Sequence, residues 1–210
     1  KELGFILVQI YPQGAIADRL YYNQHWCKEL LGLTGEPSPL SIIPFTTRPL
    51  LSDALIGREN DIKWVEETKG DRLLIGQPGS GKTFLLHNFA KQGGGLFVIK
   101  RDCSKIAPAI RTQKPKTLIV DDAHVDSNFL VELRQLREDI GASFEIIATC
   151  WPNAQPRITD ALNLPSSNIH TLDFLTRDEI VEIVKSAGIQ GPLELIREIV
   201  NQAQGRPGLA

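Results

Sequence analysis

Two hydrophobic periods alternate along this chain. Short unbroken apolar runs closed by polar or glycine residues read as buried strands. They fall at residues 71–75, 96–99, 117–122 and 144–149, with fainter examples at 5–10 and 169–174. Between them the spacing changes to three and four, which predicts helices. Ile62 and Val65 mark one over 60–69, stopped by Gly70. Others are predicted over 83–90 and 104–113. Phe129, Leu133, Leu136 and Ile140 mark one over 126–140, stopped by Gly141. The tail is helical. Thr176-Arg177-Asp178-Glu179 reads as a capping box before Ile180, Ile183, Val184 and Ala187. Gly191-Pro192 opens a second helix with Leu193, Ile196, Ile199, Val200 and Ala203 on one face. Strand and helix in alternation predict an α/β fold with a parallel sheet. Upstream, Ala15 to Leu31 carries helical spacing, and four prolines between Gly35 and Pro49 predict an extended connector. The expected organisation is an N-terminal segment and linker over 1–54, a core over 55–174, and the start of a small helical lid over 175–210.

The strand at 71–75 runs into Gly76-Gln77-Pro78-Gly79-Ser80-Gly81-Lys82-Thr83, and the helix predicted over 83–90, with Phe84 in its first turn, runs out of it. This spacing is the phosphate-binding loop, or Walker A motif, in the strand–loop–helix setting it requires. Glycines let backbone wrap a polyphosphate. The loop's N–H groups and the helix N-terminus then face the anion. Lys82 is the candidate for the β- and γ-phosphates, and Thr83 is a candidate Mg²⁺ ligand.

The run at 117–120 ends in Asp121-Asp122, the pattern of a Walker B strand with carboxylates at its C-terminal edge. Asp121 is the second candidate Mg²⁺ ligand, and Asp122 the candidate to orient or deprotonate an attacking water. Thr149, at the end of the next strand, is a candidate contact to the γ-phosphate or that water. His124 reads as a loop or capping residue before a nucleotide sensor. Arg157 reads as lying in a loop, able to swing toward the site or to stay at the surface.

Composition adds limits. The chain has 210 residues, 42% of them hydrophobic and 23% charged, with a net charge of −2. That gives no reason to invoke nucleic acid or an anionic membrane. Cys27, Cys103 and Cys150 are odd in number and widely spaced, which favours a reducing, cytoplasmic setting over a disulfide framework or zinc site. No apolar run approaches the roughly 20 residues of a membrane span. A start without methionine and a stop just after Gly205-Arg206-Pro207 lead to the expectation of a fragment of something longer.

Ile56-Gly57-Arg58-Glu59, the phosphate loop, Asp121-Asp122 and Gly205-Arg206-Pro207 stand in one order. This resembles the nucleotide-binding module of the STAND NTPases, AAA+-related signal-transduction ATPases. The likeness is to the bacterial branch linked to conflict systems, near NACHT- and NB-ARC-like modules. The resemblance covers about residues 55–210. It implies a three-layer P-loop NTPase sandwich in which the Thr149 strand separates the Asp121 strand from the loop strand. It implies ATP/ADP and Mg²⁺ as ligands, with Ile56, Gly57 and Arg58 lining the adenine pocket and Gly205 and Pro207 closing over the base. It further implies a winged helix and a sensor array past Ala210, through which self-association or partner proteins would act. The sequence departs from the family at the end of the fourth strand, where Thr149-Cys150-Trp151 stands in place of a frequent arginine. The expected function is a slowly hydrolysing regulatory switch. The alternatives are an AAA+ machine remodelling protein or DNA, or a scaffold that binds nucleotide without turnover.

Overall fold

The computed structural model describes residues 38–44, 54–189 and 191–209; the strand expected at 5–10 and the helix from Ala15 to Leu31 lie outside them. Among the described residues six strands form one sheet: β1 (Leu40–Ser41), β2 (Arg72–Ile75), β3 (Leu96–Val98), β4 (Thr117–Val120), β5 (Glu145–Cys150) and β6 (Ile169–Thr171). Their order is β1-β3-β4-β5-β2-β6. β1 runs antiparallel to β3, and the remaining pairs are parallel. β5 thus lies between β2 and β4, as the resemblance implies. The sequence order reverses beside β2, which opens a crevice at the carboxyl ends of the strands.

Seven α-helices accompany the sheet among the described residues: α1 (Glu59–Glu67), α2 (Lys82–Lys91), α3 (Cys103–Gln113), α4 (Asn128–Asp139), α5 (Gln155–Leu162), α6 (Arg177–Ser186) and α7 (Leu193–Ala203). Side chains alternate across a strand, and the core divides accordingly. Leu73, Ile75, Leu118, Val120, Ile146 and Ala148 meet Ile106 and Ile110 of α3, Phe129 and Leu133 of α4, and Ile158 of α5. Leu74, Ile119 and Ile147 meet Val65 of α1 and Leu85, Leu86 and Phe89 of α2. Helices on both faces make three layers. Burial on both faces is why β2 and β4 read as continuous apolar runs. Each fully buried Leu or Ile contributes roughly 1.5–3 kcal/mol.

Helices α6 and α7, the expected lid, share a separate core of Leu175, Ile180, Val184, Val200 and Ala203. The capping box on α6 is present in both directions, Thr176 to the Glu179 N–H and Glu179 back to Thr176. Pro192 is the N-cap of α7, one position earlier than the first-turn place read from sequence.

Two expectations are corrected. Residues 155–162 form α5, where the sequence suggested a loop. Pro152 and Pro156 look like breakers, yet proline starts a helix well, and Ile158 and Leu162 supply the buried face. The expected connector contains β1, whose neighbour Pro39 also accepts a hydrogen bond from Ile99 N at 2.8 Å. A two-residue edge strand is too short to show a period. No helix among the described residues is long and apolar enough to cross a membrane.

Candidate functional site

The phosphate loop leaves β2 and enters α2 through Gly81, the N-cap, at φ 95°. A Cβ is disfavoured at that angle, so glycine is required where the loop turns into the helix. Gly76 N donates to Cys150 O at 3.2 Å and Ser80 N to Gln77 O at 3.1 Å, which bends the loop back over the β2–β5 edge. Pro78 sits within that bend, half-buried. Lys82 is 5% exposed. Its Nζ donates to Gly76 O at 2.7 Å and to Gln77 O at 3.3 Å, so the ammonium lies inside the ring of the loop. The Ser80 hydroxyl is buried without a hydrogen-bond partner among the described residues. Phe84 follows in the first turn of α2, and its carbonyl accepts from Asn88.

β4 brings the acids to the same crevice. Thr83 Oγ1 donates to Asp121 Oδ2 at 2.6 Å. Thr149 Oγ1 donates to Asp121 Oδ1 at 2.6 Å and accepts from Asp122 N at 2.8 Å. Burial pushes the Asp121 carboxyl up, against the pull of the Thr149 and Thr83 hydroxyls and the Lys82 charge. Asp122 takes a left-handed turn at φ 48°. Its side chain is 56% exposed, so its carboxylate stands free of the sheet.

The geometry changes the place of several residues. Thr149 is fully buried, and its hydroxyl is taken up by the two aspartates. That pairing sets both acids beside Thr149, the residue expected to meet the γ-phosphate or the water. Arg157 lies on α5 rather than in a loop, and donates to His124 O. His124 occupies a short 3-10 turn, Ala123–Val125, with its ring 4.4 Å from that of Trp151. Burial pushes its pKa down, partly offset by the Asp122 carboxylate.

Gly57 and Arg58 lie between the core and the helices that follow β6, with Ile56, half-buried, just before them. A Cβ on Gly57 would stand 2.4 Å from Glu179 Oε1 and 2.9 Å from Leu175 Cδ2, so this segment is pressed against the first lid helix. Gly205 O accepts from Leu175 N at 2.9 Å, and Gly208 N donates to Gly79 O at 2.8 Å. A Cβ on Gly81 would lie 3.4 Å from Pro207 Cγ, and one on Gly79 3.1 Å from Leu209 Cγ. The lid turn Pro207–Leu209 therefore rests directly on the phosphate loop.

Sequence reasoning missed Arg101 and Gly208. Arg101 Nη2 donates to Asp121 O at 2.7 Å and Asp122 O at 3.0 Å, clamping the turn that carries both acids. Its signal was a basic residue just past the tip of the strand beside β4. Gly208 directly follows the Gly-x-Pro motif, and its N–H is what reaches the loop.

The residues fit a nucleotide with a divalent cation. A buried ammonium and an unpartnered hydroxyl line the loop, where an anion's oxygens would accept. A hydroxyl and a carboxylate already in contact are hard oxygen donors suited to Mg²⁺, which keeps much of its water and takes few protein ligands.

No family model and no curated protein matches the chain. Solved structures do. Hsp104 of S. cerevisiae in complex with casein superposes with a TM-score of 0.55 at 13% identity, over 75% of this chain and 36% of that one. A point variant of RuvB from Thermotoga maritima superposes with a TM-score of 0.51 at 20% identity, over 76% and 62%. Cdc6p of Pyrobaculum aerophilum gives 0.53 at 15% identity, over 76% and 60%. The chain thus spans from about a third to three-fifths of the length of these neighbours. Sheet order, phosphate loop and superposition agree that the fold is that of the AAA+ P-loop NTPases.

Proposed function

We propose that this chain carries an ATP-binding, slowly hydrolysing NTPase module that works as a nucleotide-dependent switch. The observation that carries the reading is the 2.6 Å contact between Thr83 and Asp121, made at the mouth of the loop that encloses Lys82. Two motifs 38 residues apart meet in one crevice. Lys82 turns from its own loop's carbonyls to the β- and γ-phosphate oxygens. Amides of Gly79, Ser80, Gly81 and Lys82 line the same anion. Thr83 and Asp121 would hold Mg²⁺, which would neutralise charge on the phosphate oxygens. Asp122, exposed and fixed through its own N–H by Thr149, orients the attacking water and accepts its proton. Ile56 and Gly57 line the adenine side, with Gly205 and Pro207 above it.

The switch reading is favoured over a remodelling machine or a passive scaffold by the bond from Gly208 N to Gly79 O. It lets the lid respond to what the phosphate loop holds, and differential contacts in two states are what a switch needs. Self-association belongs to the same proposal.

Titration calorimetry of ATP and ADP tests it. Lys82→Ala removes a charge-assisted bond worth about 1.5–3 kcal/mol, so affinity falls roughly 10- to 100-fold. Unchanged affinity for both nucleotides overturns the reading of the loop.

A further inference from the structure

Arg58 takes no part in the contacts that join Lys82, Thr83, Asp121 and Asp122. The resemblance places it beside the adenine; it is 6% exposed, and its guanidinium meets protein acceptors. Nη2 donates to Ser80 O at 3.0 Å and to Asp173 O at 2.9 Å, and Nη1 donates to Asp61 Oδ2 at 3.0 Å. Asp61 is gripped from its other oxygen by His170 Nε2 at 2.6 Å, and the His170 ring stacks on Trp64 at 4.8 Å. Arg58 is thus braced from behind by α1 and β6, with its fork turned to two backbone carbonyls.

Those carbonyls belong to different parts. Ser80 is in the phosphate loop. Asp173 is in the strap that leads from β6 into the lid. Two residues on, Leu175 N donates to Gly205 O, and Gly208 N in the following turn donates to Gly79 O, beside Ser80. The hydrogen bonds close a circuit: phosphate loop, Arg58, strap, lid turn, phosphate loop. Every other link in that circuit is backbone to backbone; Arg58 enters it through its side chain.

We propose that Arg58 is a positioning residue that makes phosphate-loop shape and lid closure a single coupled equilibrium. The proposal rests on the nucleotide reading above. A planar guanidinium meets several acceptors at fixed angles, which a point charge does not. When the lid swings out, the strap carries Asp173 O away. Arg58 is then buried one acceptor short, which is unfavourable, and its hold on Ser80 O loosens. In reverse, an anion that fixes the loop fixes Ser80 O and favours the closed strap. The coupling is reciprocal by linkage and runs through contiguous hydrogen bonds.

A base-reading residue and a loop-positioning residue differ in one measurable way. ATP and inorganic pyrophosphate are titrated into the wild-type chain and into Arg58→Met by calorimetry, with melting curves to verify folding. Positioning predicts that both ligands weaken by a similar factor, roughly tenfold. It also predicts that amides of residues 204–209 exchange faster in the variant, although none of them touches Arg58. Loss of ATP affinity with pyrophosphate unchanged makes Arg58 a reader of the base and overturns the proposal. So does unchanged exchange across 204–209. If Arg58→Met does not fold, Arg58→Lys keeps the charge beside Asp61 without the fork, and the same outcomes decide. Failure of the wild type to bind either ligand overturns the nucleotide reading instead, and the exchange measurement still decides the circuit.

Discussion

Thr149, Asp121, Thr83 and Asp122 form a short chain of hydrogen bonds in which each hydroxyl serves a carboxylate or an amide. Thr149→Val keeps the shape and removes the hydroxyl, leaving Asp121 Oδ1 and Asp122 N each short of a partner. The expected cost is about 1–3 kcal/mol of stability, read by denaturant unfolding, with turnover falling further than stability alone explains. Thr149→Ser restores most of both. Asp122→Asn isolates the other end: Mg-ATP affinity stays within about twofold, because the side chain is exposed and holds no metal, while phosphate release falls by roughly 10²–10⁴. Undiminished release removes Asp122 as the base. The phosphate loop, Asp121 and Asp122 were legible in sequence because backbone geometry and strand-end chemistry demand particular residues at particular spacings. The pairing of Thr149 with both acids was not, since one hydroxyl reads alike whether it faces a ligand or a neighbour. Only the pairing of β5 with β4 distinguishes the two.

At the scale of elements, hydrophobic period located the five parallel strands and six of the seven described helices to within a few residues. Strand β2 and helix α2 were plain because they are apolar and bounded by the loop. Helix α5 was hidden by its prolines and β1 by its length. Ile158 is fully buried on α5, so Ile158→Ala is expected to cost about 2–5 kcal/mol by calorimetric or chemical unfolding. A neutral result would place α5 outside the cooperative core. The base of β5 carries a pH-dependent contact. Burial pushes the Glu145 carboxyl up, but the Gly70 N–H and the Arg72 guanidinium outweigh it and hold the pKa below the ordinary value. A group depressed on folding stabilises the protein above its unfolded pKa, and that stability is lost as pH falls through the folded value. Melting temperature should therefore drop below about pH 4.3, and Glu145→Gln should flatten that part of the profile.

Across the whole molecule, the lid meets the core along two lines. One is the Pro207–Leu209 turn on the phosphate loop, and the other is Gly57 against Glu179 and Leu175. Gly57 has φ 66° and no room for a Cβ. Gly57→Ala is expected to displace the Glu179 carboxylate from its capping box, loosen α6 against the core and weaken ATP by roughly tenfold. The melt of the three-layer core should change by no more than the ~1–2 kcal/mol of backbone strain. A single sharp transition with unaltered affinity would refute a lid held at this point. The resemblance implies closure of Gly205 and Pro207 over the base; the contact the structure holds is that of Pro207 and Gly208 with the phosphate loop. A boundary at residue 54 leaves β1 on the linker side although it pairs with β3 of the core, and a pairing of that length leaves no period to read.

That pairing bears on how the protein can be trimmed. Leu40 and Ser41 cover the outer rim of β3. A shortened version beginning at residue 55 would strip this cover and leave a row of amides and carbonyls open to any passing strand, an invitation to stick edge to edge. Such a version is expected to precipitate or form concentration-dependent multimers in light scattering, while one beginning at residue 36 stays dispersed. What looks like a tether in the sequence serves, in the folded molecule, as a hem.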